Sequence, residues 1–234
     1  MKLMPYTFLL LIWLCSIAYA EQKAVIASVS DNHIITLEDS TNLELAGIII
    51  PPEYKKNASE IISKSIGQGV LLVFGEQKKN RHGNYTAQVK TESGQWLQQL
   101  ILEAGLAYIY PNNDTMLKEM QNAEQQARSN KIGLWQNQSI LTTNEAIEKV
   151  AEYKGKFTIV EGEIFAIKKA KDKTYINFDT DWKTDFSIGI SKENTKDFGK
   201  ITDLVGKKIR VRGWLESYNG PFIEVYQPEQ LEIL

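Results

Sequence analysis

Three short apolar segments near the start of the chain constrain its fold most strongly. Ala24–Val29, Ile34–Leu37 and Leu43–Ile48 alternate or run apolar over four to six residues, with Asp, Asn and Ser between them. Segments of that length, bounded by turn-forming residues, read as strands of a meander. Val70–Phe74, punctuated by Gly67 and Gly69, and Tyr85–Lys90, after a Gly-Asn turn, add two more strands. Between and after them, three stretches carry helical spacing: Glu53–Ile66, Trp96–Ala104 and Asp114–Asn130. The last has Met116, Met120, Ala123 and Ala127 on one face, and Asn113 or Asp114 as its cap. The expected fold class is therefore mainly β with helices (α+β), beginning with a small barrel and three helices.

A second region follows. Gln136–Thr143 is rich in Asn, Gln, Ser and Thr and reads as a linker, with a short helix at Asn144–Tyr153. Strand patterns return at Lys156–Ile167, Thr174–Asp179, Asp185–Ile190, Lys207–Leu215 and Phe222–Val225. A short helix at about Lys192–Phe198 precedes the fourth. Five strands with a helix in that place give the element count of an OB-type barrel. The expected organisation is a leader at 1–20, a first domain at 24–136, linker and short helix at 137–155, and a second barrel at 156–234.

The leader comes from Met1-Lys2, an apolar run from Phe8 to Leu14, and Ala18-Tyr19-Ala20. A short positive start, an apolar centre and a small-x-small end read as a secretory signal peptide cleaved after Ala20. The run is short for a membrane span, which needs about 20 residues, so an uncleaved anchor is the lesser alternative. Cys15, the one cysteine, leaves with the leader. Leu14 before it argues against lipid attachment. The mature chain then has neither disulfide nor cysteine metal site, and a secreted or periplasmic location suits it. No other run is long enough to span a membrane. Loss of Lys2 takes the net charge from −2 to −3, which is not the profile of a strong nucleic-acid binder. Asn57, Asn84, Asn113 and Asn137 begin Asn-x-Ser/Thr triplets that accept glycans only in a eukaryotic secretory route.

Several motifs now fall into one order. Ser30-Asp31-Asn32-His33-Ile34-Ile35 is a turn between strands, and Leu45-Ala46-Gly47-Ile48 runs on to Pro51-Pro52. Leu100–Tyr110 contains Gly105-Leu106-Ala107, and Ala123-Glu124-Gln125-Gln126-Ala127-Arg128 precedes Ile132-Gly133-Leu134-Trp135. Together these resemble the staphylococcal-nuclease-like (thermonuclease) family over about Ala24–Gln136. The resemblance implies a nuclease-like OB barrel. In active members it also implies hydrolysis of DNA or RNA with a bound divalent metal, usually calcium. Such a site takes acids for the hard cation, two arginines for the charge building on phosphorus, and a glutamate for the attacking water.

Carried over position by position, that set is missing. The first metal acid falls at His33, the second at Ile49 with Ile50 beside it, and the glutamate at Pro52. The arginines fall at Glu44 and Asn84. A rebuilt site would have to draw on Asp31 with Glu44 for a metal, Glu53 as base and Arg81 on the phosphate. The alternative for Asp31, His33, Glu53 and Arg81 is that of exposed turn residues. Loss of one transition-state donor costs about 10²–10³ in rate, so loss of several leaves little activity. No catalytic residue, metal or cofactor is expected, calcium included. Ile49 is expected either as extra core or as part of an apolar groove.

The second region resembles the OB-type domain that follows the nuclease-like domain in some bacterial secreted thermonuclease-like proteins. The resemblance rests on Val160-Glu161-Gly162, Tyr175–Phe178, Arg210–Trp214 and Asn219–Glu224, among others. Strand alternation puts Arg210, Arg212 and Trp214 on one face, a pattern that can bind single-stranded nucleic acid by phosphate contact and base stacking. Lys168, Lys169, Lys171 and Lys173 add local positive charge in the adjoining hairpin. The competing reading pairs both arginines with Glu224 or Asp185 and lets Trp214 cover the barrel end. Asp179, Asp181 and Asp185 read as solvated acids. The expected function is non-catalytic binding, with single-stranded nucleic acid or an envelope protein as partner. The alternatives are a weak or metal-altered nuclease and an envelope interaction module without nucleic acid.

Overall fold

The structure, a computed structural model, describes residues 21–80, 82–111, 116–136, 140–181 and 184–234. The expected leader at 1–20, Arg81 and the expected cap at Asn113 or Asp114 lie outside the described residues.

The first half runs β1 (Glu21–Val29), β2 (Ile35–Leu37), β3 (Asn42–Leu45), β4 (Ile48–Ile49), α1 (Lys55–Ser63), β5 (Gly69–Lys79), β6 (Tyr85–Thr91), α2 (Leu97–Glu103), β7 (Tyr108–Ile109) and α3 (Leu117–Ser129). Five strands close into a barrel in the order β1-β2-β3-β6-β5. Its one parallel pair is β3 with β6. Alternation does the sorting: Leu43 and Leu45 are buried while Glu44 between them is only half-buried. The barrel core is Ile26, Ile35, Leu43, Leu72 and Val89, closed by Ile62 of α1, Leu97 and Ile101 of α2 and Met120 of α3. β4 and β7 form a separate two-stranded ribbon that pairs Ile48 with Ile109 and Ile49 with Tyr108.

Two polar features inside this core escaped the sequence reading. Gln98 is fully buried. It donates to the carbonyls of Ala87 at 2.9 Å and Ala46 at 3.3 Å, and accepts from Val89 N at 3.2 Å. Gln88 accepts from the Trp96 indole at 2.8 Å. These carboxamides tie α2 to barrel backbone that would otherwise be buried without partners. The motif glycines Gly105 and Gly133 face each other with φ of +65° and +58°. A Cβ on either would collide with the other's loop backbone, and Leu134 N bonds to the Gly105 carbonyl at 2.8 Å.

The second half runs β8 (Ile140–Thr142), α4 (Thr143–Glu148), α5 (Val150–Tyr153), β9 (Phe157–Glu163), β10 (Ala166–Lys169), β11 (Lys173–Asn177), β12 (Ser187–Ser191), α6 (Lys192–Thr195), β13 (Lys208–Ser217), β14 (Pro221–Val225) and β15 (Leu231–Ile233). They form one sheet in the order β10-β11-β12-β14-β13-β9-β8, and β15 also pairs with β13. β12 and β14 are parallel. β9 and β10 are consecutive strands parted only by Ile164 and Phe165, so the path returns to where it began. Its connectivity repeats that of the first barrel.

The reading of 137–155 as linker and short helix needs correction. Ile140–Thr142 is a strand that pairs in parallel with Ile159–Glu161. Thr142 then caps α4: its hydroxyl accepts from Glu145 N at 3.2 Å, and the Glu145 carboxylate accepts from Thr142 N at 2.9 Å. A Thr-x-x-Glu capping box is legible in sequence, and the polar composition around it hid the signal. Strand β15 was not expected either. Among the described residues no helix is long and apolar enough to cross a membrane.

Candidate functional site

Midway along β3 the half-buried carboxylate of Glu44 points away from the barrel core. The turn from Asn80 to Asn84, between β5 and β6, stands over it. That turn is shaped by Asn80, whose side-chain oxygen accepts from His82 N at 2.9 Å and Asn84 N at 3.2 Å. The carboxamides of Asn80 and Asn84 then both donate to Glu44 Oε1, each at 2.7 Å. The acid is met by two neutral donors that fix its place.

His33 approaches from the β1–β2 turn. It has φ of +60°, and its backbone N–H bonds to Ser30 O at 2.9 Å and to Ser59 Oγ at 3.0 Å. Ser59 passes its own hydrogen onward to Ser30 O at 2.8 Å and Lys55 O at 2.9 Å, locking the turn to α1. The imidazole Nδ1 is buried and has no hydrogen-bond partner among the described residues. Burial, then the Lys55 ammonium, push the His33 pKa down, against the pull of Glu44. Near neutral pH the ring is uncharged.

Residues 33–137 match the family described as Staphylococcal nuclease homologue. This stretch is a staphylococcal-nuclease-like domain. Over 92 residues the chain is also 35% identical to an uncharacterized protein of Bacillus anthracis. The matched stretch covers 37% of this chain and 42% of that relative, less than half of each.

Within the nuclease-like domain, the structure brings together Glu44, Asn84 and His33 from the expected set. Ile50 lies in the barrel core. Ile49 is half-buried and pairs with Tyr108 on the ribbon, which points their side chains to the same side. Pro52 opens a 3-10 turn at Pro52–Tyr54, where it and Glu53 are exposed. Asp31 is exposed on its turn. Calcium takes six to eight oxygen ligands. The groups here are one imidazole, one carboxylate already held by two carboxamides, and apolar Ile49 and Ile50, so they do not fit that ion. Among the described residues no three His, Cys, Asp or Glu side chains are placed to hold a metal.

The arginine face of β13 turns out to be an internal surface. Arg212 is only 5% exposed. Its guanidinium forks onto Glu124 of α3, with Nη1 donating to Oε1 at 3.0 Å and Nη2 to Oε2 at 3.1 Å. Nη1 also donates to Ile109 O at 3.3 Å, while Glu124 Oε1 accepts from Ile109 N at 3.1 Å. One buried ion pair thus joins β13 to both α3 and β7 of the nuclease-like domain. Arg210 donates to Glu161 and to Glu232, each at 2.8 Å. Around these charges lies an apolar seam. Tyr108 meets Trp135 at 5.6 Å and Phe157 at 5.5 Å, beside Ala127, Leu134 and Ile159.

Both arginines are thus paired with carboxylates, though with other ones than expected. Arg212 is buried and bidentate, Arg210 is shared by two carboxylates, and neither forms an open phosphate contact. Their partners are not Glu224, which pairs with Lys173, or Asp185, which accepts from Phe178 N and Asp179 N. Alternation fixed which side chains share the face, but not what packs on it. Trp214 remains 45% exposed, edge-on to Phe157 at 5.8 Å, at the rim of the seam. The acceptor that sequence reasoning missed is Glu124. Its signal was the Glu in Ala-Glu-x-x-Ala-Arg, a charged residue on the buried side of α3.

Proposed function

We propose that this is an exported, non-catalytic binding protein in which a nuclease-family domain keeps its barrel and has lost phosphodiester chemistry. The observation that carries the reading is the Glu44 carboxylate bonded to the Asn80 and Asn84 carboxamides. By the resemblance, the places of Glu44 and Asn84 hold arginines in active members. A carboxylate there repels a phosphate instead of neutralising it. A neutral His33 and the apolar Ile49 and Ile50 remove the oxygen ligands a hard cation needs. What remains is a scaffold joined to a second barrel-like unit, and OB-type barrels include binders of oligonucleotides. Its ligand on this reading is single-stranded nucleic acid, and an envelope protein takes that role if nucleic acid does not bind.

Export rests on the apolar run from Phe8 to Leu14 and the Ala18-x-Ala20 end. The mature chain should begin at Glu21, checked by N-terminal peptide mapping of the envelope fraction. Peptides that retain residues before Ala20 would contradict it. The catalytic part is tested by incubating DNA and RNA with the purified chain and calcium, magnesium, manganese or zinc. No hydrolysis above background is expected. Turnover that is lost on chelation and in Asp31→Ala would instead establish the metal-altered nuclease built on Asp31, His33, Glu53 and Arg81.

A further inference from the structure

The charges at the join between the two halves do not balance. Its carboxylates are Glu124, Glu161 and Glu232. Arg212 forks onto Glu124, Arg210 and Lys208 both pair with Glu161, and Glu232 lies 2.8 Å from Arg210 and 3.9 Å from Arg212. Arg128 of α3 is a further cation. It stands four residues after Glu124, the spacing at which a helix pairs an acid with a base. Both oxygens of Glu124 are taken by Arg212 from across the seam, however. Among the described residues Arg128 therefore has no carboxylate of its own. Its guanidinium lies against the Trp135 ring instead, 5.6 Å from the centroid, and is half-buried, so solvent reaches it.

Two buried donors at the same join also lack an acceptor among the described residues: Trp135 Nε1 and Arg210 Nε. Trp135 is 6% exposed. The Arg210 side chain is 11% exposed, and its two Nη atoms are committed to Glu232 and Glu161, which leaves Nε over. The register places the two together. Ile159, packed with Trp135 and Ala127 in the seam, is paired with Arg212, and the next pair on that face is Glu161 with Arg210. Arg128 lies within electrostatic reach of the same group. Burial, then Arg210, lower its pKa, and Arg212 adds to this against the pull of Glu124 and Glu232. Three side chains thus bring N–H groups without acceptors to one seam, beside a cation without a counter-charge.

We infer that the join between α3 and β13 binds a small oxyanion, held by the Arg128 guanidinium, Trp135 Nε1 and Arg210 Nε. The donor set selects that chemistry. An oxyanion offers acceptors only and supplies the missing negative charge, and a guanidinium meets it with parallel N–H bonds. The indole beneath Arg128 helps to hold the guanidinium in place. The ligand is small because Trp135 is nearly closed off from solvent. Once bound, it ties α3 of the nuclease-like domain to β13 of the second unit, next to the Arg212–Glu124 pair. This site shares no residue with the Glu44 cluster and stands apart from the binding role proposed above.

The test uses inorganic phosphate as probe. The purified chain is titrated with sodium phosphate by calorimetry, and is melted in phosphate and in sodium chloride of equal ionic strength. Saturable binding of one phosphate per chain is expected, with a higher melting temperature in phosphate. Arg128→Gln should weaken binding roughly 10- to 150-fold, the range for one hydrogen bond to a charged group, and remove most of the phosphate shift. Trp135→Phe keeps the ring beneath Arg128, removes one N–H and should weaken binding in the same direction. Phosphate also stabilises proteins by exclusion from their surface, an effect that would be equal in parent and variants. Absence of saturable heat overturns the inference, as does the same phosphate shift in the parent and in Arg128→Gln. Should Arg128→Gln fail to fold, Arg128→Lys keeps the charge without the fork and should bind more weakly than the parent. Parental affinity in both Arg128→Lys and Trp135→Phe would likewise overturn it. Sodium acetate run beside phosphate separates a carboxylate from a phosphate as the preferred group. Either one, bound saturably and weakened in these variants, upholds the site.

Discussion

The two halves of the molecule share a connectivity and put their charged residues to opposite uses. In each, the third and fourth strands of the run, β1-β2-β3-β6-β5 or β10-β11-β12-β14-β13, are parallel: β3 with β6, and β12 with β14. In the nuclease-like domain the half-buried charge on the third strand, Glu44, is held by neutral carboxamides. In the second unit strand β13 turns Arg212 onto Glu124 of the first domain and pairs Arg210 with Glu161 and Glu232 of its own unit. The same strand pattern thus leaves a carboxylate held by carboxamides in one half and guanidiniums held by carboxylates in the other. A guanidinium on a barrel strand is therefore not by itself a ligand contact. What packs against the strand decides.

The sharpest way to break this comparison is to cut the ion pair between the halves. Arg212→Ala or Glu124→Ala should each destabilise the chain by about 3–5 kcal/mol in urea unfolding, because each leaves a buried charge unpaired. Arg212→Met/Glu124→Leu should be closer to the parent, less the bond from Ile109 N, about 1 kcal/mol. Single variants costing under about 1 kcal/mol would mean that β13 does not clamp the domains. Gly105→Ala should cost roughly 2–4 kcal/mol, since it adds a positive-φ penalty to a collision with the Ile132 carbonyl. A neutral effect would show that the facing loops can separate freely. At Glu44 the effect should be smaller. Glu44→Gln keeps an oxygen that can accept from both carboxamides and removes only the charge, so it should cost about 0.5–1.5 kcal/mol, which the same unfolding curves measure.

Acid titration distinguishes the halves by sign. Burial lowers the folded pKa of His33 below 6.5, so its contribution is present above pH 6.5 and lost as pH falls through the folded value. Burial, helped by the charges of Asp179 and Asp181, raises that of Asp185 above 3.8 against the pull of its backbone bonds. Its contribution is present below pH 3.8 and lost as pH rises through the raised value. His33→Asn should therefore lose less stability than the parent on acidification below pH 6.5. Asp185→Asn should lack the decline that Asp185 adds as pH rises from 3.8. Parallel pH–stability curves for parent and variants would remove both assignments.

Much of the first fold was legible because it is local. Alternation in Leu43–Leu45 and the glycine motifs around Leu106 and Leu134 state their own geometry. Position-by-position comparison also gave the substitutions at Glu44, Asn84 and Ile49. What it could not give was the answer to Glu44: Asn80 lies 36 residues away, and nothing in its neighbourhood marks it as a donor. The Arg212–Glu124 pair spans 88 residues and two units, and alternation along β13 is blind to it. Ile140–Thr142 was hidden by the polar composition of its surroundings, although the Thr-x-x-Glu box was present.

The most direct test of the central claim is hydrolysis of single-stranded and double-stranded DNA by the purified chain in calcium, measured beside a chelated control. The expected result is identical product in both, at the level of buffer alone, with Glu44→Arg/Asn84→Arg equally inactive because Ile49, Ile50 and Pro52 still supply neither metal ligand nor base. Calcium-dependent turnover by the unmodified chain, abolished by chelation, would contradict it.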